Sequence, residues 1–408
     1  MPGFLLRQLA TAALTANAVR PVPGYQAAVP SMAAGWLTSE LAPHLLALTL
    51  ADTVRELVRS RRDPRALALA AGSSLALAAV VAQSARAQRH VDDALVEALG
   101  PDYRDRLGAT HTDLDLSTPL GQLAMPFRVH DDEVEVTKDV PYDTEHGKRG
   151  LLDVYRQRDA DLTSAPVLLH VHGGAWSIGD KEHQGIPLML HMAARGWVCV
   201  AINYRLSPRD AFPAHLVDVK RAIAWVREHG ASYGADPSFL ALTGGSAGGH
   251  LAALAALTPN DPEYQPGFAH VDTTVQAAAP HYGVYDFAGV IGTKRSEQMR
   301  DLFLGPRVLF KDPRAELAEF EKASPLARVN ADAPPFLVIH GSTDSLVEVA
   351  QARAFVEALR AVSRQPVAYA ELPGTQHAFD VFPSIRSAHV VRGVDRFLRF
   401  THERWAHG

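Results

Sequence analysis

The chain has 408 residues, 47% hydrophobic and 21% charged, with a formal net charge of −5. That length exceeds one ordinary core, and the composition is globular rather than disordered. No basic surplus points to nucleic acid, no acidic block to a solvating tail, and the single cysteine, Cys199, excludes an internal disulfide.

Two compositions divide the chain. Residues 1–125 are rich in Ala and Leu and read as a helical region; from 126 to 408 apolar β-type runs alternate with amphipathic helical ones. The first stretch, "MPGFLLRQLATAALTANA", ends on Ala16-Asn17-Ala18, but Arg7 lies inside its apolar run, which makes it a poor signal peptide. Next comes "GWLTSELAPHLLALTLA" (35–51), interrupted by Glu40 and His44. Ala66–Ala85 then carries no charge at all, and it is long enough for a bilayer core of about 30 Å. Between them "SRRDPR" offers Asp63 as an N-cap and Pro64 as a first helical residue. The pattern predicts an αα-hairpin over about 33–88. Three roles are open to it. It could insert in a membrane, with Arg59, Arg61, Arg62 and Arg65 keeping the turn cytoplasmic. It could cap the C-terminal part of its own chain, or pack on a second copy as a homodimer. The expected location is correspondingly cytoplasmic or membrane-associated.

From about 133 onward the reading is α/β. "VEVTKDVPY" and "LLDVYR" are two early strands, and "PVLLHVHG" and "WVCVAINY" are apolar runs expected of strands buried on both faces. "AFPAHLVDVKRAIAWVREHG" places Leu216, Val219, Ile223 and Val226 on one helical face. Then follow "FLALTGG" (strand), "GGHLAALAAL" (helix), "VQAAAPHYG" and "PPFLVIHG" (strands), "VEVAQARAFVEALRAV" (helix), "PVAYAELPG" (strand) and a closing helix near 387–402. This alternation predicts a mostly parallel, eight-stranded sheet with helices on both faces, interrupted by a helical insertion at about 286–325.

The chemistry concentrates at "LTGGSAGGH" (242–250). Gly244-Gly245-Ser246-Ala247-Gly248 matches G-x-S-x-G directly between a strand and a helix, the context of a nucleophile elbow. "HVHGGAW" (170–176) ends an earlier strand; the N–H groups of Gly173 and Gly174, with that of Ala247, are the expected oxyanion hole. His170-x-His172 lacks a third ligand at useful spacing, so no metal is expected there, and His172 is read as a brace for the loop. A serine needs a base oriented by an acid, in chain order Ser, Asp, His for this fold. "VIHGSTDSLV" supplies Asp344 and "AYAELPGTQHAFD" supplies His377, each just past a strand. Glu348 is ranked below Asp344 because it falls in a helix, and Asp380 because it sits only three residues from His377.

With these residues the chain resembles the hormone-sensitive-lipase branch of the α/β-hydrolases, notably its bacterial esterases. The resemblance rests on His172-Gly173-Gly174, "NYRLSP" (203–208), Gly244–Gly249, "HGSTDSLV" (340–347) and "PGTQHAF" (373–379), and covers about residues 130–405. It implies an α/β-hydrolase fold and carboxylic ester hydrolysis through an acyl-enzyme, without cofactor or metal. It also implies a helical cap over the site, for which residues 1–125 and 286–325 are the candidates. The expected substrate is a small-molecule or lipid-like ester. Three departures stand out. Ala175 replaces the third glycine of the oxyanion loop, which fits if its φ is negative; Gly245 stands where Asp is usual; and the segment Asn203–Arg209 lacks two usual acids. The same triad would also serve an amidase or peptidase, and a catalytically silent binding scaffold is the remaining alternative.

Overall fold

A computed structural model describes residues 3–59, 63–107 and 120–407. In chain order the helices and strands are α1 (Phe4–Val19), α2 (Ala28–Glu40), α3 (Ala42–Val58), α4 (Pro64–Leu99), α5 (Leu120–Ala124), β1 (Val134–Pro141), β2 (Leu151–Gln157), β3 (Ala165–Val171), α6 (Ile186–Ala193), β4 (Val198–Ile202), α7 (Ala214–His229), β5 (Ala235–Gly245), α8 (Ala247–Leu257) and β6 (Ala277–His281). They continue as α9 (Lys294–Met299), a π-helical stretch (Arg300–Leu309), α10 (Leu317–Lys322), β7 (Phe336–Gly341), α11 (Val349–Val362), β8 (Val367–Leu372) and α12 (Ile385–His407).

The strands form one sheet in the order β1-β2-β4-β3-β5-β6-β7-β8. β1/β2 and β2/β4 are antiparallel and every other pairing is parallel. This is the α/β-hydrolase fold. The central strands are apolar on both faces because helices cover both: α7, α8 and α11 on one side, α6, α12 and the second half of α4 on the other. The parallel strands β5, β7 and β8 end at the same sheet edge, and the loops that follow them carry Ser246, Asp344 and His377.

The N-terminal region departs from the expected hairpin. The run at 35–51 is not one helix: the chain breaks at Leu41 (φ −99, ψ 15), where α2 ends and α3 begins. Pro43, at the start of α3, lacks the N–H that would continue α2 through this point. The second arm runs on to Leu99, beyond the expected limit near 88, because Ala87, Val91 and Ala94 pack onto the hydrolase core. Gly393 of α12 lets it come that close, since a Cβ there would overlap Val91. Asp63 does cap α4, accepting from the Arg65 N–H at 2.9 Å. Arg61 and Arg62 of the basic turn lie outside the described residues.

The interruptions at Glu40 and His44 are anchoring points. His44 Nε2 lies 2.7 Å from the Leu123 carbonyl. Glu40, fully buried, binds Arg386 and accepts from Ser384 Oγ (2.7 Å) and Ser39 Oγ (3.1 Å), tying α2 to the start of α12. Glu40→Ala would leave the Arg386 guanidinium buried without its counter-charge. Such a cut costs about 3–5 kcal/mol, and it is expected as a lowered urea midpoint that Arg386→Met in the same chain partly restores.

Candidate active site

β5 runs into Ser246 and α8 starts at the next residue. Ser246 has φ 58 and ψ −120, a conformation that costs a residue with a side chain about 1–3 kcal/mol. The glycines make this turn fit. A Cβ on Gly244 would stand 2.5 Å from the Val171 carbonyl oxygen, and one on Gly248 would overlap the same carbonyl. The end of β3 therefore touches the elbow. The Ser246 N–H donates to the His281 carbonyl (3.0 Å), which pins the turn to β6.

Asp344 and His377 meet across their two loops. His377 Nδ1–H donates to Asp344 Oδ2 at 2.6 Å. Asp344 Oδ1 accepts the N–H groups of Leu346 and Val347, both at 2.8 Å, and His340 Nε2 lies 3.3 Å from Oδ2. Burial opposes charge on this carboxyl, but His377, His340 and these bonds outweigh it and hold its pKa well below the usual carboxylate range. The bond at Nδ1 leaves Nε2 as the free nitrogen of His377; it is buried and without a hydrogen-bond partner. Ser246 and His377 line one pocket.

The two rival acids are engaged elsewhere. Asp380 binds His281 Nδ1 and the Tyr282 hydroxyl. Glu348 stands one residue ahead of α11 rather than inside it, and accepts from the Thr293 hydroxyl. Two neighbours of His377 gave no signal in the sequence. Gln376 Oε1 accepts from the N–H of both Ser345 (2.8 Å) and His377 (2.9 Å), so one amide fixes the acid loop to the base loop. The Tyr282 ring, held by Asp380 and at a strained φ of 37, lies 4.5 Å from the imidazole.

The loop expected to form the oxyanion hole differs from expectation at two residues. The Gly173 N–H is occupied, donating to Gln184 Oε1 at 2.7 Å, and Gly173 does not line the pocket. Its glycine identity answers to crowding: a Cβ would lie 2.6 Å from the Gly245 oxygen and 3.2 Å from Ser246 Cβ. Ala175 has φ 53, not the negative value its side chain would favour. The loop turns left-handed at Gly174, Ala175 and Trp176 in succession, which faces Gly174 and Ala175 into the pocket. Among the described residues neither of their N–H groups has a hydrogen-bond partner, nor has that of Ala247, first in α8. His172 braces the loop, its Nδ1–H donating to the Gly173 carbonyl (2.7 Å) and its ring stacking 4.4 Å from Tyr204. His170 is fully buried, and burial pushes its pKa down to about 3.

The pocket has a volume of about 570 Å³, within the range of small-molecule sites. The α1–α2 connection and α2 contribute Tyr25, Val29 and Met32, and the insertion contributes Met299 and Phe303. Its walls are mostly apolar.

Comparison with known proteins gives a consistent picture. The BD-FAE family model matches residues 152–359. The "Probable carboxylic ester hydrolase LipM" of Mycobacterium tuberculosis is 46% identical over 97% of this chain and 92% of its own length. "Esterase LipQ" of the same organism is 44% identical over 90% of this chain and 83% of its own. Among solved structures, the butyrate-bound esterase Est2 of Thermogutta terrifontis aligns with a TM-score of 0.53 and 26% identity, over 68% of this chain and 94% of that one.

Proposed function

As a carboxylic ester hydrolase of the hormone-sensitive-lipase family of α/β-hydrolases, this chain uses, we propose, Ser246 as nucleophile, His377 as general base and acid, and Asp344 as the orienting acid. The observation that carries this reading is the 2.6 Å bond from His377 Nδ1 to Asp344, with Nε2 left unpartnered in the pocket of Ser246. Nε2 takes the serine proton as Oγ attacks the ester carbonyl, and returns it to the leaving alcohol. A water activated by the same nitrogen then releases the acid from the acyl-enzyme. The oxyanion is received by the N–H groups of Gly174 and Ala247, with Ala175 beside them. Gly173, whose N–H is taken by Gln184, shapes the loop instead of donating. A fluorophosphonate probe is expected to label the chain stoichiometrically and Ser246→Ala not at all; labelling that survives the substitution would overturn the assignment.

Of the roles open to residues 1–125, capping the catalytic domain of 126–408 is supported by the pocket, which α2 and the 286–325 insertion wall on two sides. An apolar acyl chain fits between Val29 and Met32 on one side and Met299 and Phe303 on the other. Each buried methylene is worth about 0.8 kcal/mol, so kcat/KM for p-nitrophenyl esters should rise about fourfold per methylene until the pocket is filled. Met32→Trp is expected to flatten that rise while leaving the acetate ester almost unaffected.

A further inference from the structure

The N-terminal helices are apolar on the faces they turn outward as well as inside. On α1 the exposed positions include Leu5, Leu6, Leu9, Ala10, Ala13 and Leu14, and Gln8 and Thr15 are buried with Phe4 and Ala18. On α3, Leu48, Leu50, Val54, Leu57 and Val58 face outward and Thr49 is buried; Leu48 is 66% exposed and Val58 78%. On the first half of α4, Ala68, Ala71, Leu75, Ala78 and Ala82 face outward, and Ser73 and Ser84 face in among Ala66, Ala70, Leu77 and Val80. A helix wetted on its outer side carries polar and charged residues there, whereas one apolar all round is buried in protein or lipid. The apolar exterior stops along α4 itself: from residue 86 the outward positions are Arg86, Arg89, Asp93, Val96 and Glu97, mostly charged as on an ordinary wetted helix.

Several polar groups in this bundle are satisfied without solvent, while Gln8 Oε1 and Ser73 Oγ are buried without a partner among the described residues. The hydroxyls of Thr11, Thr15, Thr49 and Thr53 each donate to the carbonyl four residues earlier, at 2.7–3.1 Å. Arg7 pairs with Asp52 (2.8 Å), which also accepts from Gln8 Nε2 (3.2 Å). Internal satisfaction of this kind is what a hydrocarbon solvent imposes. Dimensions agree. Pro64 to Ser84 extends about 30 Å at 1.5 Å per residue, the thickness of a bilayer core, and α4 is long and apolar enough to cross one. Phe4 packs on Ala66 and Ala70, so α1 and α4 begin together at the far tip, where Arg59 and Arg65 lie. Charge adds a further argument. Residues 1–80 carry seven arginines and four acidic residues, net +3, on a chain whose total is −5.

We propose that α1, α3 and the first half of α4 are inserted in a lipid bilayer, the basic turn at one face and the catalytic domain at the other. The pocket mouth then sits at the membrane surface. Val29, 60% exposed, and Tyr25 line the pocket and continue the apolar exterior of the bundle. Esters dissolved in the bilayer are thereby presented to the site; that consequence rests on the function proposed above, whereas the insertion does not.

The test uses the full chain and reads partitioning, independently of activity. In membranes of expressing cells the protein should resist salt and alkaline carbonate and be released by detergent. Leu48→Glu, Val54→Glu and Leu75→Glu combined should shift it to the soluble fraction, with kcat/KM on a water-soluble acetate ester unchanged; Val362→Glu, on α11, should not. Should the triple variant fail to fold, single Leu48→Cys and Leu75→Cys chains carrying an environment-sensitive dye supply the second reading. In phosphatidylglycerol–phosphatidylcholine vesicles the dye should be quenched by nitroxide-labelled acyl chains, and at Val362→Cys it should not. Release by salt alone, absence of quenching, or a detergent-free soluble dimer that the same substitutions dissociate would each overturn the proposal.

Discussion

Ser246→Ala is expected to lower kcat by a factor on the order of 10⁶, with little change in KM. On the proposed mechanism the serine oxygen forms the acyl bond, so no residual route passes through an acyl-enzyme; what would remain is water attacking an ester held against the amide hydrogens of Gly174 and Ala247. Ground-state binding belongs to the apolar walls, which the substitution leaves in place. His377→Ala should cost about as much, and the double variant no more than either single, because the two groups act as one unit. Asp344→Asn should cost less, on the order of 10⁴. The imidazole then loses the carboxylate acceptor that fixes Nδ1–H, and the amide put in its place would favour the wrong tautomer. Steady-state rates on a p-nitrophenyl ester, with circular dichroism as the fold control, decide the matter. Additive losses in the double variant, or Asp344→Asn at wild-type rate, would reject the assignment of roles.

How much of this was written in the sequence depends on the range of the interaction concerned. The elbow was legible because its constraint is local: strand, strained serine and helix must follow each other within a few residues, and only glycine fits beside Val171. Asp344 and His377 were legible because chain order and strand ends place them at one sheet edge. The donors of the oxyanion loop were harder. The Gly173 N–H is taken by Gln184, eleven residues on, and no spacing rule foretells that side chain's direction. Ala175 accepts a left-handed φ because the loop is held by His172 and by the Ser177 and Ile178 N–H groups, both donating to the Gly174 carbonyl at 3.0 Å. Local preference favoured the opposite sign and tertiary bonds overrode it. The break at Leu41 combines both ranges: Pro43 removes the N–H that would carry α2 onward, and Glu40 is held by Arg386, 346 residues away.

Mild acid should unfold the protein well before it protonates the catalytic carboxylate. Four imidazoles around the site are buried and neutral: burial pushes the pKa of His170, His215 and His250 down to about 3 and that of His172 to about 4. Unfolded, each returns to about 6.5. Between these limits the unfolded chain binds more protons than the folded one, so stability is fully present above pH 6.5 and is lost as pH falls toward 4. Each histidine contributes up to about 1.4 kcal/mol per pH unit, and the four together about 5 kcal/mol per unit near pH 5. From pH 7 to pH 5 the four together remove about 8 kcal/mol, which reaches into a total stability of about 5–15 kcal/mol. Asp344 adds nothing over this interval, since its folded and unfolded forms are both ionised there; its contribution is lost only below its unfolded pKa of about 3.9. His172 and His250 cannot relieve the strain by moving, because both are part of the site's scaffold. His172 holds the Gly173 carbonyl; His250 accepts from Trp176 Nε1 (3.2 Å) and donates to the Ala323 carbonyl (2.7 Å), joining the elbow helix to the insertion. Protonating His250 would set a donor against the Trp176 N–H. Urea midpoints measured from pH 7.5 to 4.5 should therefore fall steeply below pH 6, and His250→Asn, less stable at pH 7, should show a slope reduced by about a quarter. A midpoint flat down to pH 5 would mean that these imidazoles are not held neutral.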